Sequence, residues 1–517
     1  MEKEDKNPIC FLVEILELAK KTKRSPTIIV DLDSWLVPMT SPHFMWGGGE
    51  LKVFFEQVEK FVRKFNDAGI TLVFVKDGFI PEGKGETVVK RANQVHSECT
   101  IPLFDALMEG KMPENYYTTD SHSNTERLLE LYLDCEVITA CDIEADEEIV
   151  RLAKERNAMA ILAQDSDYVI FDMEGIIYLS VWNFDIEDMT TITYDQVALA
   201  KNLGLHVNQL PVFAILKGND LFTYDMMKEF HKHLVRRQPW RKGVSLSQKV
   251  IPEIPEFMRR LKVPSTYEEI MECLPRLMMS VFGHTQHLDM AKESVNSYFL
   301  KTEMPQVADL DTWNTTILSV KPLSRRAYDV MKFNKLEITS SGQDSRDNRV
   351  PPTAELFKNL RRRMYGVLLH DKPGALSGDK FTVNIEETSL NHASGKMETN
   401  EASPIVPPQG SHPGLDQLLD DDYPNVSNLR QRLFFHILAP SVDIEQVTSM
   451  SDHEELLYPI AVLSSLLHDH KRPLLEDWEL DVFIAQVRNT VNTLTFSDSV
   501  SKIIFYYVCI YTRPDIK

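Results

Sequence analysis

Two aspartates one residue apart, Asp165 and Asp167, follow the apolar run AILA in the stretch ILAQDSDYVIFD at residues 161–172. Like charges placed just past a buried strand suit either a turn or a cation site, because carboxylates build Asx turns and are also hard oxygen ligands. Comparable positions recur along the chain. Asp31 follows TIIV, Asp77 follows TLVFVK, Glu144 and Asp146 open the helix expected after VITACDI, and Asp220 ends FAILKGND. Taken singly, Asp31 or Asp220 reads as a helix N-cap or turn former, and Glu144 with Asp146 as a complement to a helix N-terminus. Taken together, seven carboxylates in one cleft would repel one another unless cations neutralise them. Magnesium or manganese fits that need. Two such ions about 4 Å apart can activate a water and stabilise the leaving oxygen of a phosphodiester. Lys84 and Arg91, seven residues apart in DGFIPEGKGETVVKR, are candidate grips for the phosphate, with a solvated helix face as the alternative.

The elements that must position these groups alternate. TIIVDLD (27–33), ITLVFVKD (70–77), CEVITACD (135–142), AMAILAQDSD (158–167) and GIIYLSV (175–181) read as strands. Between them, residues 50–69 carry apolar side chains at helical spacing and stop at Gly69, and 143–157 read as a second helix. Strict alternation implies crossover connections and a largely parallel sheet, an α/β fold whose ligands sit beyond the carboxyl ends of the strands. Domain limits of 1–240 for this α/β part and 241–337 for a helical extension are expected. A linker follows at 338–353, then a helical C-terminal module at 354–517. A polar insert at about 371–413 is expected to be disordered, since its composition offers little apolar surface to bury.

Composition bounds the rest. The chain has 517 residues, 43% of them hydrophobic, and a net charge of −21. That balance argues against a surface that coats polyanions throughout, but not against a local basic stripe. Six scattered cysteines, Cys10, Cys99, Cys135, Cys141, Cys273 and Cys509, form no CxxC pair and no zinc-module spacing, which fits a reducing compartment, the cytoplasm or nucleus. Neither a signal sequence nor a membrane span is read, so no membrane partner is expected. HLVRRQPWRKG interleaves Trp240 with Arg236, Arg237, Arg241 and Lys242, as a single-strand stacking groove does, and RRRMY at 361–365 is similar. Either cluster is more often a solvated face or a set of intramolecular partners in so acidic a chain.

VDLDSW, VFVKDG with Lys84 and Arg91 after it, IEADEE, AQDSD and LKGND, in this order over some two hundred residues, resemble the signature blocks of the flap-endonuclease and XPG-type nucleases, a branch of the PIN-like fold. The stretch GGGELKVFFEQVEKFVRKFNDAGITLVFVKDG, ILAQDSDYVIFD and RRRMYGVLLH are most similar to the constitutive coactivators of peroxisome proliferator-activated receptor gamma, with the asteroid proteins next. The resemblance implies one metal-water set at Asp31, Asp77, Glu144 and Asp146, a second at Asp165, Asp167 and Asp220, and phosphate contacts from Lys84 and Arg91. It departs from the nucleases in two places. MEKEDKNPIC replaces their Met-Gly-hydrophobic start, and no glycine pair of a duplex-gripping helix-two-turn-helix follows Asp220. Two functions are therefore expected: a magnesium- or manganese-dependent phosphodiesterase on RNA or single-stranded DNA, or a non-catalytic RNA-binding scaffold or coactivator. In either case, protein partners would dock on the helical C-terminal half.

Overall fold

Seven strands frame the first of two units. They are β1 (Ile9–Phe11), β2 (Ser25–Asp31), β3 (Thr71–Asp77), β4 (Glu136–Ala140), β5 (Ala158–Ala163), β6 (Ile177–Ser180) and β7 (Thr190–Tyr194). The computed structural model describes residues 9–39, 51–78, 85–111, 121–140, 143–236, 245–301, 312–320, 324–338, 343–347, 351–408, 412, 414–438 and 440. Contacts divide the chain into Met1–Ser41, Lys52–Phe79 and Thr125–Gln306 as one unit, and Pro42–Leu51, Ile80–Asn124 and Val307–Lys517 as the other.

The strand order of the first unit is β1-β7-β6-β5-β2-β3-β4. β6, β5, β2, β3 and β4 run parallel, while β7 and β1 are antiparallel additions at one edge. β5 is buried along its whole length and β2 over its last five residues, as expected for central strands covered on both faces. Helix Leu51–Asp67 ends at Gly69, whose φ of 75° supplies the left-handed stop that the sequence implied. Trp35, Phe61, Phe65 and Phe74 pack edge to face and tilted on one side of the sheet, and all four are buried. The chain runs outward from β2 through β3 to β4, then returns to β5 on the other side of β2. The order therefore reverses between β2 and β5, which opens a crevice at their carboxyl ends.

One expected strand is a helix. FAILK belongs to helix Leu210–Lys217, with Pro211 in its first turn and Leu210 to Leu216 buried. An apolar run covered on every side carries no period, so strand and helix look alike in it. It joins Tyr224–Val235, Glu253–Leu261, Tyr267–Phe282 and Leu288–Tyr298 around one apolar cluster, the helical region expected after residue 220.

In the second unit, helix Lys358–Leu368 lies where RRRMYGVLLH predicts one, and helix Val426–Leu438 matches LRQRLFFHIL. Strands β8 (Lys335–Ile338), β9 (Leu376–Ser377), β10 (Lys380–Phe381), β11 (Ile385–Asn391) and β12 (Lys396–Ala402) complete the described part. These strands correct the expectation of disorder across 371–413, for 371–408 is built. β11 pairs antiparallel with β12 over seven residues and parallel with β8. Average composition hid the few apolar pairs that matter. Ile385 and Ala402 pack against Val330, Leu336, Tyr365 and Leu369, while Leu390 and Met397 pack against Ala92, and most of the polar residues between them stay exposed.

RRRMY has intramolecular partners, the plainer of its two readings. Arg361 donates to Glu387 from Nε at 2.8 Å, the Tyr365 hydroxyl donates to the same carboxylate, and Arg363 donates to the Ile437 carbonyl at 2.6 Å. Arg363, Tyr365 and Glu387 are buried, so the cluster is internal. The helical patterns at 456–470 and 481–494 lie outside the described residues.

Candidate functional site

Asp31 is the last residue of β2 and is 8% exposed. It accepts bonds from Ser34 N at 3.1 Å and Ser34 Oγ at 2.6 Å, so it caps the helix Leu32–Met39 as the plainer reading required. The cap does not exhaust its role. Burial, opposed in part by the Ser34 bonds and reinforced by the charges of Asp33 and Asp165, raises its carboxyl to about 6.

Asp165 follows β5 on the other side of the crevice. Its Oδ1 accepts Asp167 N at 2.9 Å and caps the turn Ser166–Val169, while Tyr178 donates to its backbone carbonyl at 2.8 Å. Asp146 stands in the first turn of helix Ala145–Glu155, after β4. As a whole the residue is half-buried, but its carboxyl is sunk among the strand ends. Burial first, then the charges of Asp31, Asp165 and Asp77, hold it well above the usual carboxylate range. Asp77 closes β3 and is exposed. Its backbone N–H donates to Asp33 Oδ2 at 2.9 Å. Asp146, in the helix after β4, thus feels the charges of carboxylates placed after β2, β3 and β5, and Asp31 feels that of Asp165, at the carboxyl edge of the sheet.

The remaining candidates come from other parts of the fold. Glu144 precedes the same helix as Asp146 and forms no side-chain cap with it. Asp167 is half-buried and accepts from the Tyr298 hydroxyl at 2.7 Å. Asp220 follows a helix rather than a strand and is exposed. Its neighbour Asn219 is the residue that reaches inward, donating to Ser294 Oγ at 2.8 Å and to Tyr298 Oη at 3.3 Å. Arg91 is exposed on helix Gly85–Val95 of the second unit. Arg236 is exposed at the end of helix Tyr224–Val235, while Lys84, Arg237, Trp240, Arg241 and Lys242 lie outside the described residues.

Several contributors carried no signal as chemistry. Tyr168 donates to Asp146 Oδ1 at 2.8 Å, and Tyr298 arrives from the last turn of Leu288–Tyr298, 131 residues beyond Asp167 in the chain. Both phenols are pushed well above their ordinary range, chiefly by burial and then by the adjacent aspartate, so they stay protonated donors at neutral pH. Gly78 follows Asp77. A Cβ there would lie 2.4 Å from the Ala140 carbonyl oxygen, so only glycine lets the ends of β3 and β4 approach so closely. Trp182, just beyond β6, is 53% exposed, and its backbone N–H donates to the Oε1 of Gln164, the residue before Asp165, at 3.3 Å.

The donor set suits a hard divalent cation. It is all oxygen, and among the described residues no lysine or arginine pairs with Asp31, Asp146 or Asp165. Among the described residues, the trio of potential ligands within 4.8 Å of one another is instead His370, Asp371 and His412. Tyr298→Phe is expected to slow metal-dependent chemistry about tenfold, in part recovered at higher metal concentration, because Asp167 loses the bond that orients it. A titration of rate against Mn²⁺ checks this.

A constitutive coactivator of peroxisome proliferator-activated receptor gamma from Bos taurus is 27% identical over 277 residues, 52% of this chain and 39% of the relative. Over that span the chain is similar to these coactivators. Residues 203–302, the helical region that carries Tyr298, match the FAM120A-like domain. A protein from Danio rerio named single-strand DNA endonuclease ASTE1 is 22% identical over 252 residues, 44% of this chain and 34% of that protein. The chain thus spans about a third of the length of the coactivator and endonuclease homologues it matches. Human GEN1 in complex with Holliday junction DNA aligns at 13% identity with a TM-score of 0.31, covering 86% of this chain and 98% of that one. Among the described residues no helix is long and apolar enough to cross a membrane.

Proposed function

We propose that the first unit handles single-stranded nucleic acid at the carboxyl edge of its sheet, with Asp31, Asp77, Glu144, Asp146, Asp165, Asp167 and Asp220 as the ligand set for magnesium or manganese. The observation that carries this reading is the buried Asp146 and Asp31 at the β2/β5 reversal, the first facing the charges of Asp31, Asp165 and Asp77 and the second that of Asp165, which costs stability without a cation. Bound there, the ions would supply an activated water and charge neutralisation for hydrolysis of a phosphodiester. The protein's part is to hold the carboxylates: Ser34 fixes Asp31, Tyr168 fixes Asp146, and Tyr298 with Asn219 fixes Asp167. Trp182 offers a π-face for a base beside Asp165.

A second reading, a nucleic-acid-binding coactivator scaffold that keeps its metal for stability, is favoured by the coactivator kinship, which also supports a nuclear site of action. The two are separated by incubating the protein with labelled single-stranded RNA and DNA in Mg²⁺ or Mn²⁺. Cutting that stops with a chelator supports the enzyme, whereas metal-stabilised binding without cutting supports the scaffold. No binding to either strand overturns both. Trp182→Ala is expected to weaken strand binding about tenfold under either reading, measured by fluorescence anisotropy, since stacking on one base contributes about 1–3 kcal/mol.

A further inference from the structure

The second unit carries a separate set of metal-ligating groups. His370 and Asp371 follow the helix Lys358–Leu368, and His412 lies on the chain that leads into helix Leu415–Leu419. Their donor atoms all fall within 4.8 Å of one another. The imidazoles of His370 and His412 stack with ring centres 4.5 Å apart and planes 16° from parallel. We propose that His370, Asp371 and His412 bind one zinc-class divalent ion, which clamps the 412–415 segment to the end of helix Lys358–Leu368.

Three features favour an ion. The two bonds made by His412 fix its tautomer: Nε2–H donates to the Val367 carbonyl at 3.0 Å, and Nδ1 accepts Gly414 N–H at 3.1 Å. Nδ1 therefore holds the lone pair a metal requires, while the opposite nitrogen is anchored on a backbone carbonyl, the usual outer-shell arrangement for a ligating histidine. Coordination replaces the Gly414 bond. Asp371 is positioned likewise, with Oδ2 held by Leu415 N at 2.8 Å and Oδ1 2.8 Å from His370 Nδ1, a spacing that one ion can bridge. The set of two nitrogens and one oxygen suits zinc and discriminates against magnesium, which prefers oxygen alone. Waters complete the shell, as three protein ligands leave a position open.

The test uses the full chain. Zn²⁺ is titrated calorimetrically, and Co²⁺ serves as a visible reporter of nitrogen ligation. The wild-type protein and Asp165→Asn should each bind one Zn²⁺ at this site with equal affinity. His370→Gln and His412→Gln should each bind about a hundredfold more weakly, with loss of the Co²⁺ colour. Zn²⁺ should raise the melting temperature of the wild type and of Asp165→Asn by more than that of either glutamine variant. The proposal is overturned if both glutamine variants bind zinc like the wild type, if Asp165→Asn is the variant that loses the ion, or if the wild type binds none. Should His412→Gln melt early without zinc, His370→Gln, at a half-buried position, decides the outcome alone.

Discussion

Asp165→Asn is expected to lower metal-dependent cleavage of a single strand by about a thousandfold, equivalent to about 4 kcal/mol of barrier. The substitution is unusually clean. Asp165 Oδ1 accepts the Asp167 N–H, and an asparagine carbonyl accepts the same bond, so the Ser166–Val169 turn survives while the charge disappears. Strand binding through Trp182 should change little. Single-turnover cleavage in Mn²⁺, with a thermal melt to show an unchanged fold, makes the comparison. A variant that cuts as fast as the wild type would remove Asp165 from the site, and with it the reason for a metal beside β5.

The second large effect is on stability. In chelator at pH 7.5, Asp31→Asn is expected to be more stable than the wild type by about 2–3 kcal/mol. Asp31 is buried and its carboxyl is raised from 3.8 to about 6. A rise of that size corresponds to about 3 kcal/mol between the two protonation states. The sign follows from proton counts. Between the two values the native protein keeps a proton that the unfolded chain releases, so stability is full below 3.8 and is lost as pH rises through about 6. Asparagine cannot ionise and escapes this loss while still bonding Ser34. The gap between variant and wild type should therefore be near zero at pH 4, grow with pH, and level off above 6. Saturating Mg²⁺ should close or reverse it, because the ion stabilises only a protein that retains the charge. Urea unfolding across pH, with and without Mg²⁺, measures each part. If asparagine destabilises the chelated protein at pH 7.5, the cap on Ser34 is all that Asp31 contributes.

Homology to the coactivators and to a single-strand endonuclease sets these two experiments against each other usefully. A scaffold that keeps an ion passes the stability test and not the cleavage test. An enzyme passes both.

The acidic edge was legible because its signal is local. An aspartate directly after a β-branched buried run lies at a strand's carboxyl end, and parallel strands bring such ends together whatever the intervening loops contain. Asp31, Asp77, Asp146 and Asp165 could therefore be chosen from the chain alone, as could helices Leu51–Asp67 and Ala145–Glu155, whose period and stops are written in their own residues. Local signals fail where burial is uniform or where partners are distant. FAILK has no period because Leu210 to Leu216 are all covered, and the β11/β12 hairpin hides its few buried apolar pairs within a polar average. The charges of Arg361 and Arg363 look available until Glu387 and the Ile437 carbonyl fold onto them. Tyr168 and Tyr298 look like ordinary core aromatics in the sequence. Only the packing of helix Leu288–Tyr298 brings a phenol to Asp167. The chain by itself determines which groups can ionise and where strands end; tertiary structure decides which of those charges share a desolvated space, because that depends on contacts between residues far apart in sequence.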